Sequence, residues 1–475
     1  MKSKKRLILP ILLILVILLS CVGGWLWYDS SVDRSGWVEK DGVRFYRDFH
    51  AHPVSGWLEL EGERYFFHED GTPYLGWQEI GGITYYFGSD GAMTTGWLEL
   101  DGKTYYFGGN GTMVVGWLWL EDGRYYLRDG ELLTGWQEID GGQYYFNEEG
   151  IAALGFADID GSRYYFDDGI MTTGAAEIDG AYYYFRDDGA MYTGWLEEPE
   201  GVYYYREDGT QVFGWEEIDG KRYYFDDVGI QATHGWLELG EYRYYLLEDN
   251  TPATGPQNID GETHYFTPKG IEVVLVNALN PVPSWYKLDP VNVVDYHDVD
   301  SLCYDALVQM LADCNAAGIE YTFNSAYRTI LEQTTILEYR TREHMETYGL
   351  DFEAARDKAL ETVAIPGTSE HHLGLAVDLL GEEAIAWFTE HCWDYGFILR
   401  YTAEKESITG ILDEPWHFRY VGTEVSLDMK DSGLCLEEYL GAEPVETSKV
   451  KELYGDKLYE ETVYEEKTNA ASTSK

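Results

Sequence analysis

The chain has 475 residues, enough for about three domains, and a hydrophobic content of 45% argues against global disorder. Its 34 Lys and Arg residues against 85 Asp and Glu residues give a net charge of −51, so nucleic acid is not expected as a partner. Five cysteines are too few for a disulfide scaffold, whereas 52 glycines and 16% aromatic residues favour a repeat architecture or a carbohydrate-type binding surface.

Residues 1–28 are predicted to form a membrane anchor or signal segment. Basic residues precede an apolar run, and residues 7–28 are long enough to cross a bilayer, which takes about 20 residues. The basic flank predicts a cytoplasmic N-terminus, with everything after it exported. Two alternatives stay open, a cleaved signal peptide and a lipoprotein that is modified at Cys21.

Residues 36–274 contain an internal repeat. Gly-Trp, or a degenerate form of it, recurs every 19 to 21 residues in twelve units, and a Tyr-Tyr-Phe-like triplet follows about eight residues later. An Asp-Gly turn lies between the two in most units, and it is a strong hairpin signal because both turn positions need positive φ. Because a single hairpin is only marginally stable in water, we expect the twelve hairpins to stack into a solenoid.

The position of the turn determines which residues face each other. With Asp101 and Gly102 as the loop, Trp97 lies opposite Tyr106, and both point away from the face that buries Phe107. The same register applies to the other units. The candidate ligand-binding residues of the repeats are the tryptophans and several of their partners: Trp37, Trp57, Trp77, Trp97, Trp117, Trp136, Trp195, Trp215, Trp236, Tyr86, Tyr106, Tyr224 and Tyr245.

The aromatic face of the repeats has two interpretations. A carboxylate two residues after the tryptophan, such as Glu99, would suit a quaternary ammonium ligand such as choline through cation–π attraction. The same register sets Glu39 opposite Arg44 and Glu59 opposite Arg64, as in ordinary cross-strand ion pairs. We interpret the carboxylates as ion pairs, whereas a solvated face does not need a tryptophan every 20 residues.

The repeats resemble the cell-wall-binding repeats of choline-binding surface proteins, and equally the related glucan-binding and toxin repeats. Residues 96–116 show the likeness, running from Gly-Trp through Tyr-Tyr-Phe and Gly-Thr-Met to the next Gly-Trp. The resemblance implies a hairpin solenoid that binds a cell-wall polymer, either choline-bearing teichoic acid or glucan, between successive hairpins. Choline-binding repeats usually carry a Trp before the Tyr pair, where this chain has Arg, Thr, Gln or Tyr. Ala175 and Pro256 replace the repeat tryptophan, and those units are expected not to bind.

The composition changes near residue 275. Alternating helical patterns and short strands predict an α+β domain over 275–440, and the charged segment 441–475 is expected to be poorly ordered. The predicted fold is therefore a multidomain chain, a solenoid of about twelve β-hairpins followed by an α+β domain. We favour free buried thiols over disulfides for the four cysteines of that domain, Cys303, Cys314, Cys392 and Cys435.

Two motifs in this domain carry candidate metal ligands. Residues 366–378 include His371 and Asp378, and residues 414–420 include His417. A catalytic zinc ion takes three nitrogen or oxygen ligands and keeps one position for water, and these three side chains provide such a set. Glu414 remains as a carboxylate that can take a proton from the attacking water. The alternative is a structural histidine with an exposed acid.

The same residues resemble the VanY-like D-alanyl-D-alanine carboxypeptidases. The pattern Ser-X-His-X-X-Gly-X-Ala-X-Asp, followed by Glu-Pro-Trp-His, carries the resemblance, together with Ser-Ala-Tyr-Arg at 325–328. It implies an α+β zinc peptidase domain with Zn²⁺ held by the two histidines and the aspartate, and Glu414 as the catalytic base. It also implies that Arg328 contacts the substrate carboxylate or the developing oxyanion, and that Gln333 and Ser369 line the pocket.

The two resemblances together predict the function. We expect a zinc-dependent carboxypeptidase that trims the C-terminal D-alanine from peptidoglycan stem peptides. Its repeats would hold it at the cell wall, on the extracellular face of a bacterial membrane. The alternatives are an L,D-carboxypeptidase or a peptidoglycan endopeptidase on the same zinc site, or a non-catalytic cell-wall-binding adhesin.

Overall fold

The computed structural model of the protein describes residues 34–460, and the predicted membrane segment at 1–28 lies outside this range. Within 34–460, no helix is both long enough and apolar enough to cross a membrane. The chain divides into two compact units. Of the described residues, 34–194 and 205–211 form the first unit, and 195–204 and 212–460 form the second.

Twelve β-hairpins occupy residues 36–266, as predicted. The fifth and seventh hairpins each carry a short third strand, and the other ten have two strands. Strands β1 to β26 are, in chain order, Gly36–Lys40, Val43–Arg47, Gly56–Leu60, Glu63–Phe67, Gly76–Ile80, Ile83–Phe87, Gly96–Leu100, Lys103–Phe107, Gly116–Leu120, Gly123–Arg128, Glu131–Leu132, Gly135–Ile139, Gly142–Phe146, Gly155–Ile159, Ser162–Asp167, Ile170–Met171, Gly174–Ile178, Ala181–Phe185, Gly194–Glu198, Gly201–Tyr205, Gly214–Ile218, Lys221–Phe225, Gly235–Leu239, Tyr242–Leu246, Gly255–Ile259 and Glu262–Phe266.

The turns have the geometry that the Asp-Gly pairs predict. Asp101 has a φ of 52° and Gly102 has a φ of 75°, so both turn positions are left-handed. This turn makes Trp97 the partner of Tyr106, which confirms the predicted register. The hairpins that begin at residues 36, 56, 76, 214 and 235 have the same register.

The last residue of the aromatic triplet forms the core of the repeats. Phe87 and Phe107 are fully buried, and so are the equivalent residues Phe146, Phe225 and Phe266. Backbone hydrogen bonds connect successive hairpins, because Met93 N donates to the Arg64 carbonyl over 2.7 Å and Met113 N donates to the Thr84 carbonyl over 3.1 Å. Leu127 and Leu246 are buried at the same position in two other hairpins. Burial of this side chain in successive repeats stabilises a stack whose single hairpins would be only marginally stable alone.

An α+β region follows the hairpins. Strands β27 to β32 are Pro290–Val294, His297–Asp300, Thr322–Ser325, Ala376–Leu380, Phe397–Tyr401 and Glu414–Tyr420. Helices α1 to α8 are Ser301–Ala316, Ile330–Tyr348, Phe352–Ala359, Glu382–His391, Glu406–Thr409, Thr423–Ser432, Leu436–Tyr439 and Thr447–Tyr454. Short 3-10 helices cover Glu370–Leu373, Cys392–Tyr395, Ala403–Lys405 and Gly455–Tyr459.

Four of these strands form the sheet that carries the functional site. Their order is β29-β30-β32-β31, and all three pairs are antiparallel. Helix α1 packs on this sheet through Cys303, Leu307 and Met310, which are fully buried. The central strands β30 and β32 are therefore held on both edges and covered by apolar side chains.

A second apolar core joins the last hairpins to the α+β region. Tyr244 and Val273 are buried together with Val425 and Leu440. The Tyr420 hydroxyl donates a hydrogen bond to Glu241, which lies in the turn between β23 and β24, over 2.9 Å. The contact region therefore extends to the N-terminal side of the predicted domain boundary at residue 275.

The segment 441–460 is ordered, contrary to the expectation of a poorly ordered tail over 441–475, and residues 461–475 lie outside the described range. Helix α8 and the residues around it bury Val445, Val450 and Leu458 in a small cluster. Lys451 forms an ion pair with Asp357 at 2.7 Å. The high content of Glu and Lys led to the prediction of disorder. Three apolar residues in this segment nevertheless let it pack against the domain.

The four cysteines of the α+β region are free and buried. Burial raises the pKa of the Cys303 thiol and that of the Cys392 thiol to about 12, and that of Cys435 to about 11. The prediction of free thiols agrees with this structure. Since the thiolate is the reactive form, these side chains serve as packing residues.

We predict that removal of the hairpins destabilises the α+β region. A chain that begins at Gly214 keeps the second core, whereas a chain that begins at Leu275 loses Tyr244 and Val273 from it. Each lost apolar side chain costs about 1.5–3 kcal/mol of burial. The shorter chain should therefore unfold at least about 10 °C lower in a thermal melt. Equal melting temperatures would contradict the role of the hairpins in this core.

Candidate metal centre

The register of the sheet brings three potential metal ligands together. Asp378 on β30 is the direct partner of His417 on β32, and the 3-10 helix before β30 supplies His371. Asp378 Oδ2 lies 3.2 Å from His371 Nε2, and Asp378 Oδ1 lies 2.9 Å from His417 Nδ1. One ligand atom from each residue falls within 4.8 Å of the others, and all three residues are buried. The predicted ligand residues therefore converge.

The outer nitrogen of each histidine has a hydrogen-bond partner that orients the ring. The nitrogen Nδ1 of His371 donates to the Ala326 carbonyl over 2.6 Å, which leaves Nε2 facing the centre. Nε2 of His417 donates to Glu370 over 3.2 Å, which leaves Nδ1 facing the centre. Such partners set the tautomer and raise the basicity of a metal-ligating imidazole. Two imidazole nitrogens and a carboxylate form a donor set that fits zinc.

The two histidines have opposite pKa shifts. Burial lowers the pKa of His371 to about 4, so its imidazole is neutral and ready to ligate near pH 7. Burial also opposes the charged form of His417, but hydrogen bonds to Asp378 and Glu370 outweigh it and raise the pKa of His417 to about 9. Burial likewise opposes ionisation of Asp378, but the two histidines hold its pKa well below the usual range.

Glu414 lies beside the three ligands. It starts strand β32, three residues before His417, and its Oε2 is 4.0 Å from His417 Nδ1. The side chain is buried, and burial raises the pKa of Glu414 to about 7, although the nearby His417 charge opposes the rise. A carboxyl group with this pKa can accept and return a proton near neutral pH.

Arg328 also lies at the centre, as predicted. Its guanidinium donates to Ser325 Oγ over 2.6 Å, to Gln333 Oε1 over 3.1 Å, and to Asp378. Gln333 in turn donates to the Ala364 carbonyl over 2.9 Å. Gln333 therefore holds the Arg328 side chain in place by hydrogen bonding. The positive charge of Arg328 has a fixed orientation next to the candidate metal ligands.

Ser369 is buried and immediately precedes the 3-10 helix that carries His371. His372, the next residue in that helix, turns away from the ligands. Its Nδ1 donates to the Arg328 carbonyl over 2.7 Å, and its Nε2 accepts from Gly367 N over 3.1 Å. His372 thus connects the loop of Arg328 to the helix of His371.

Sequence reasoning missed a buried charge network behind His417. Glu370 accepts from Arg400 Nε over 2.8 Å and lies 3.2 Å from Arg419 Nη1. Arg400 also forms a two-bond pair with Glu437, at 2.6 and 2.9 Å. All four side chains are buried. Burial opposes ionisation of Glu370, yet the two arginines hold its pKa well below the usual range. The signal for this network was an arginine inside each of the strands β31 and β32, since a buried charge needs a partner.

The repeat residues that were predicted to bind a ligand form aromatic pairs. The ring centroids of the nine repeat tryptophans lie 4.8–5.4 Å from those of their cross-strand partners. Each tryptophan also contacts a ring of the following hairpin, as Trp77 contacts Tyr105 at 4.9 Å. An aromatic surface therefore recurs between successive hairpins.

Comparison with known families identifies both parts of the chain. A family model described as D-alanyl-D-alanine carboxypeptidase, VanY, matches residues 296–423. A model described as choline-binding repeat matches 75–116, 133–171 and 172–213, and one described as putative cell wall binding repeat matches 214–230. These matches agree with the two resemblances that the motifs showed.

Individual relatives cover the C-terminal part. A D-alanyl-D-alanine carboxypeptidase of Enterococcus faecalis is 37% identical over 178 residues, which are 36% of this chain and 66% of that protein. The bifunctional D-Ala-D-Ala dipeptidase and D-Ala-D-Ala carboxypeptidase VanXYC of Enterococcus gallinarum is 37% identical over 141 residues, 26% of this chain and 69% of that protein.

A solved structure of a variant of the vancomycin resistance D,D-pentapeptidase VanY in complex with Zn(II) is 37% identical, with a TM-score of 0.34, and covers 35% of this chain and 97% of that one. The chain spans between half and about two thirds of the length of the curated relatives it matches. With choline-binding repeats before its carboxypeptidase-like region, the chain belongs to the VanY family of D-alanyl-D-alanine carboxypeptidases.

Proposed function

We propose that this chain is a zinc-dependent D-alanyl-D-alanine carboxypeptidase that removes the C-terminal D-alanine from peptidoglycan stem peptides. The convergence of His371, Asp378 and His417 within 4.8 Å, with Glu414 beside them, is the observation that carries the proposal. Relatives that share this region are named D-alanyl-D-alanine carboxypeptidases, which supports the substrate class. Zinc bound by the three ligands would polarise the scissile carbonyl and the attacking water.

Glu414 is the proton carrier in this proposal. As water attacks the carbonyl carbon, the Glu414 carboxylate accepts a proton from that water. The carboxyl group then gives the proton to the amide nitrogen as the C–N bond breaks, which releases D-alanine. Burial of Glu414 brings its pKa to about 7, so the group can both take and give the proton near neutral pH.

Arg328 supplies fixed positive charge for an anionic substrate. The net charge of −51 would repel a peptide C-terminus, so a local cation is needed at the site. Ser325 and Gln333 hold the guanidinium in place, and a charge that is already oriented does not have to reorganise when substrate binds. Arg328 is therefore proposed to contact the substrate carboxylate or the developing oxyanion.

The repeats are proposed to retain the enzyme at the cell wall, through choline-bearing teichoic acid or a glucan. Several weak sites along one solenoid would hold the chain near its substrate by avidity. The segment 1–28 is proposed to tether or export the chain, since its basic flank and apolar run are typical of that role. Together these features favour the extracellular face of a bacterial membrane.

The first test separates turnover from metal binding. Glu414→Gln keeps the three ligands but removes the proton acceptor, so D-alanine release from a stem pentapeptide should fall at least about 100-fold. Zinc content, measured by mass spectrometry of the metal, should stay near that of the unmodified chain. His417→Ala should lose both activity and zinc, and Glu383→Gln, an exposed glutamate on α4, should lose neither. Substantial activity of Glu414→Gln would refute the assigned role.

A further prediction concerns the protons that the protein releases when it binds zinc. His417 has a pKa of about 9 without metal, so it carries a proton at pH 7.5 that zinc must displace. Calorimetric titration with zinc in buffers of different ionisation enthalpy should show release of about one proton per zinc at pH 7.5. The apparent affinity should rise as pH rises toward about 9 and then level off. A zinc affinity that does not change between pH 7 and pH 8.5 would contradict the assignment of His417 as a ligand.

The third prediction tests Glu370 as a positioning residue. Glu370→Gln weakens the acceptor that orients His417 and should lower zinc affinity about 10–100-fold in a chelator competition assay. Glu437→Gln is the matched control, because Glu437 also pairs with Arg400 in a buried site but does not contact a metal ligand. The control should lower the melting temperature while zinc affinity stays within about threefold of the original. Equal zinc affinities in the two variants would show that Glu370 has only a structural role.

A further inference from the structure

Five hairpins carry an arginine whose guanidinium lies over the aromatic ring that starts the hairpin. The pairs are Arg44 over Trp37 at 3.8 Å, Arg64 over Trp57 at 4.7 Å, Arg163 over Phe156 at 4.8 Å, Arg222 over Trp215 at 4.2 Å and Arg243 over Trp236 at 4.2 Å. The predicted register led to the interpretation that these arginines form ion pairs with the facing acids. The cross-strand register is as predicted, but the guanidinium rests on the ring, and Arg243 in addition lies 3.6 Å from Glu238.

Each of these arginines occupies the same place in its repeat. It stands seven residues after the aromatic residue, and its cross-strand partner is the acid that lies two residues after that aromatic residue, as Glu59 faces Arg64. The ring beneath it also contacts the next hairpin, since Trp57 lies 5.1 Å from Tyr85. The guanidinium is therefore next to an aromatic surface that two hairpins build together.

In the first compact unit, three other hairpins have the same aromatic surface but no arginine at this place. The equivalent residues there are Thr84, Thr104 and Gln143, and the tryptophans are Trp77, Trp97 and Trp136. Trp77 lies 4.9 Å from Tyr105 at an interplanar angle of 72°, close to the 5.1 Å and 64° of Trp57 and Tyr85. The facing acid is also present, as Glu79 opposite Thr84. Two adjacent repeats thus differ in whether the chain supplies its own cation.

The backbone of these adjacent repeats is equivalent. The Arg64 carbonyl accepts from Met93 N, and the Thr84 carbonyl accepts from Met113 N, so both residues lie at the hydrogen bond that joins successive hairpins. Both side chains are half-buried. A change between Arg and Thr at these places therefore alters the occupant of the aromatic surface and leaves the backbone contacts of the hairpin in place.

We propose that these arginines act as built-in cationic ligands. They close their own hairpin interfaces, so that an external quaternary ammonium ion is taken up where no arginine covers the ring, as at Trp77, Trp97 and Trp136. An aromatic face attracts a weakly hydrated cation, and a guanidinium and a quaternary ammonium group share that property. A neutral sugar ring carries no such charge, so the presence of the arginines favours a cation as the external ligand. This inference deepens the proposed retention at the wall and rests on it.

The test exchanges the occupants of two adjacent repeats in the full chain. Arg64→Thr should open the interface of Trp57 and add one binding site for choline chloride, as counted by isothermal titration calorimetry. Thr84→Arg should close the interface of Trp77 and remove one site. The double exchange should restore the original number, which separates occupancy from general damage. Thr104→Arg at Trp97 is the second closing variant, in case Thr84→Arg does not fold, as judged by its circular dichroism spectrum.

Three outcomes would overturn the proposal: an unchanged number of sites in Arg64→Thr, an unchanged number in both closing variants, or no choline binding by the original chain. A different result is that the chain binds a neutral glucan but not choline, and that Thr84→Arg abolishes glucan binding. This result would assign the open places to sugars instead. D-Alanine release from a stem pentapeptide is measured in the same samples. The exchanged residues lie far from the candidate metal ligands in sequence and in a separate compact unit, so the variants should release D-alanine as the original chain does. Absence of release by the original chain would refute the proposed enzyme function without affecting the site count.

Discussion

The buried carboxylate of Glu370 joins the candidate metal ligand His417 to the rest of the fold. It holds the outer nitrogen of His417, and it is itself balanced by Arg400 and Arg419. Arg419 donates to the Val274 carbonyl over 2.7 Å, where the hairpins end, and Arg400 pairs with Glu437 on α7. A buried charge without a partner is strongly unfavourable. His417, the sheet, the end of the hairpins and helix α7 are therefore expected to fold cooperatively.

The repeats rely on a different balance. Most hairpins bury one phenylalanine at the end of the second strand, and the tryptophans of nine hairpins stay partly exposed beside the next hairpin. An arginine above that tryptophan covers part of the exposed ring with a side chain of the same hairpin. In a chain with 85 acidic and 34 basic residues, the arginines also offset the local negative charge of the facing glutamates. Under the proposal, the same ring surface serves stability in some hairpins and ligand binding in others.

Local sequence signals predicted the parts of this structure that local geometry determines. The Asp-Gly turns determined the register of the hairpins, and the short motifs around His371 and His417 held the metal ligands and Glu414. The features that sequence reasoning missed depend on residues distant in the chain. Glu370 needs Arg400 and Arg419 from two other strands, and the order of segment 441–460 needs the surface that receives Val450. The arginines of the repeats had two possible partners, the aromatic residue seven positions earlier and the acid five positions earlier, and only the folded hairpin shows that the guanidinium lies over the ring.

The second core, in which Tyr244 and Val273 pack with Val425 and Leu440, has a consequence for the evolution of such chains. Recombination between genes spreads catalytic domains among surface proteins most easily when a domain ends where its contacts end. Here the contacts continue into the last hairpins, so a crossover at the start of the α+β region would separate side chains that are adapted to each other. The heritable unit is therefore expected to be the carboxypeptidase-like region together with the last hairpins, with variation in repeat number at the N-terminal hairpins instead.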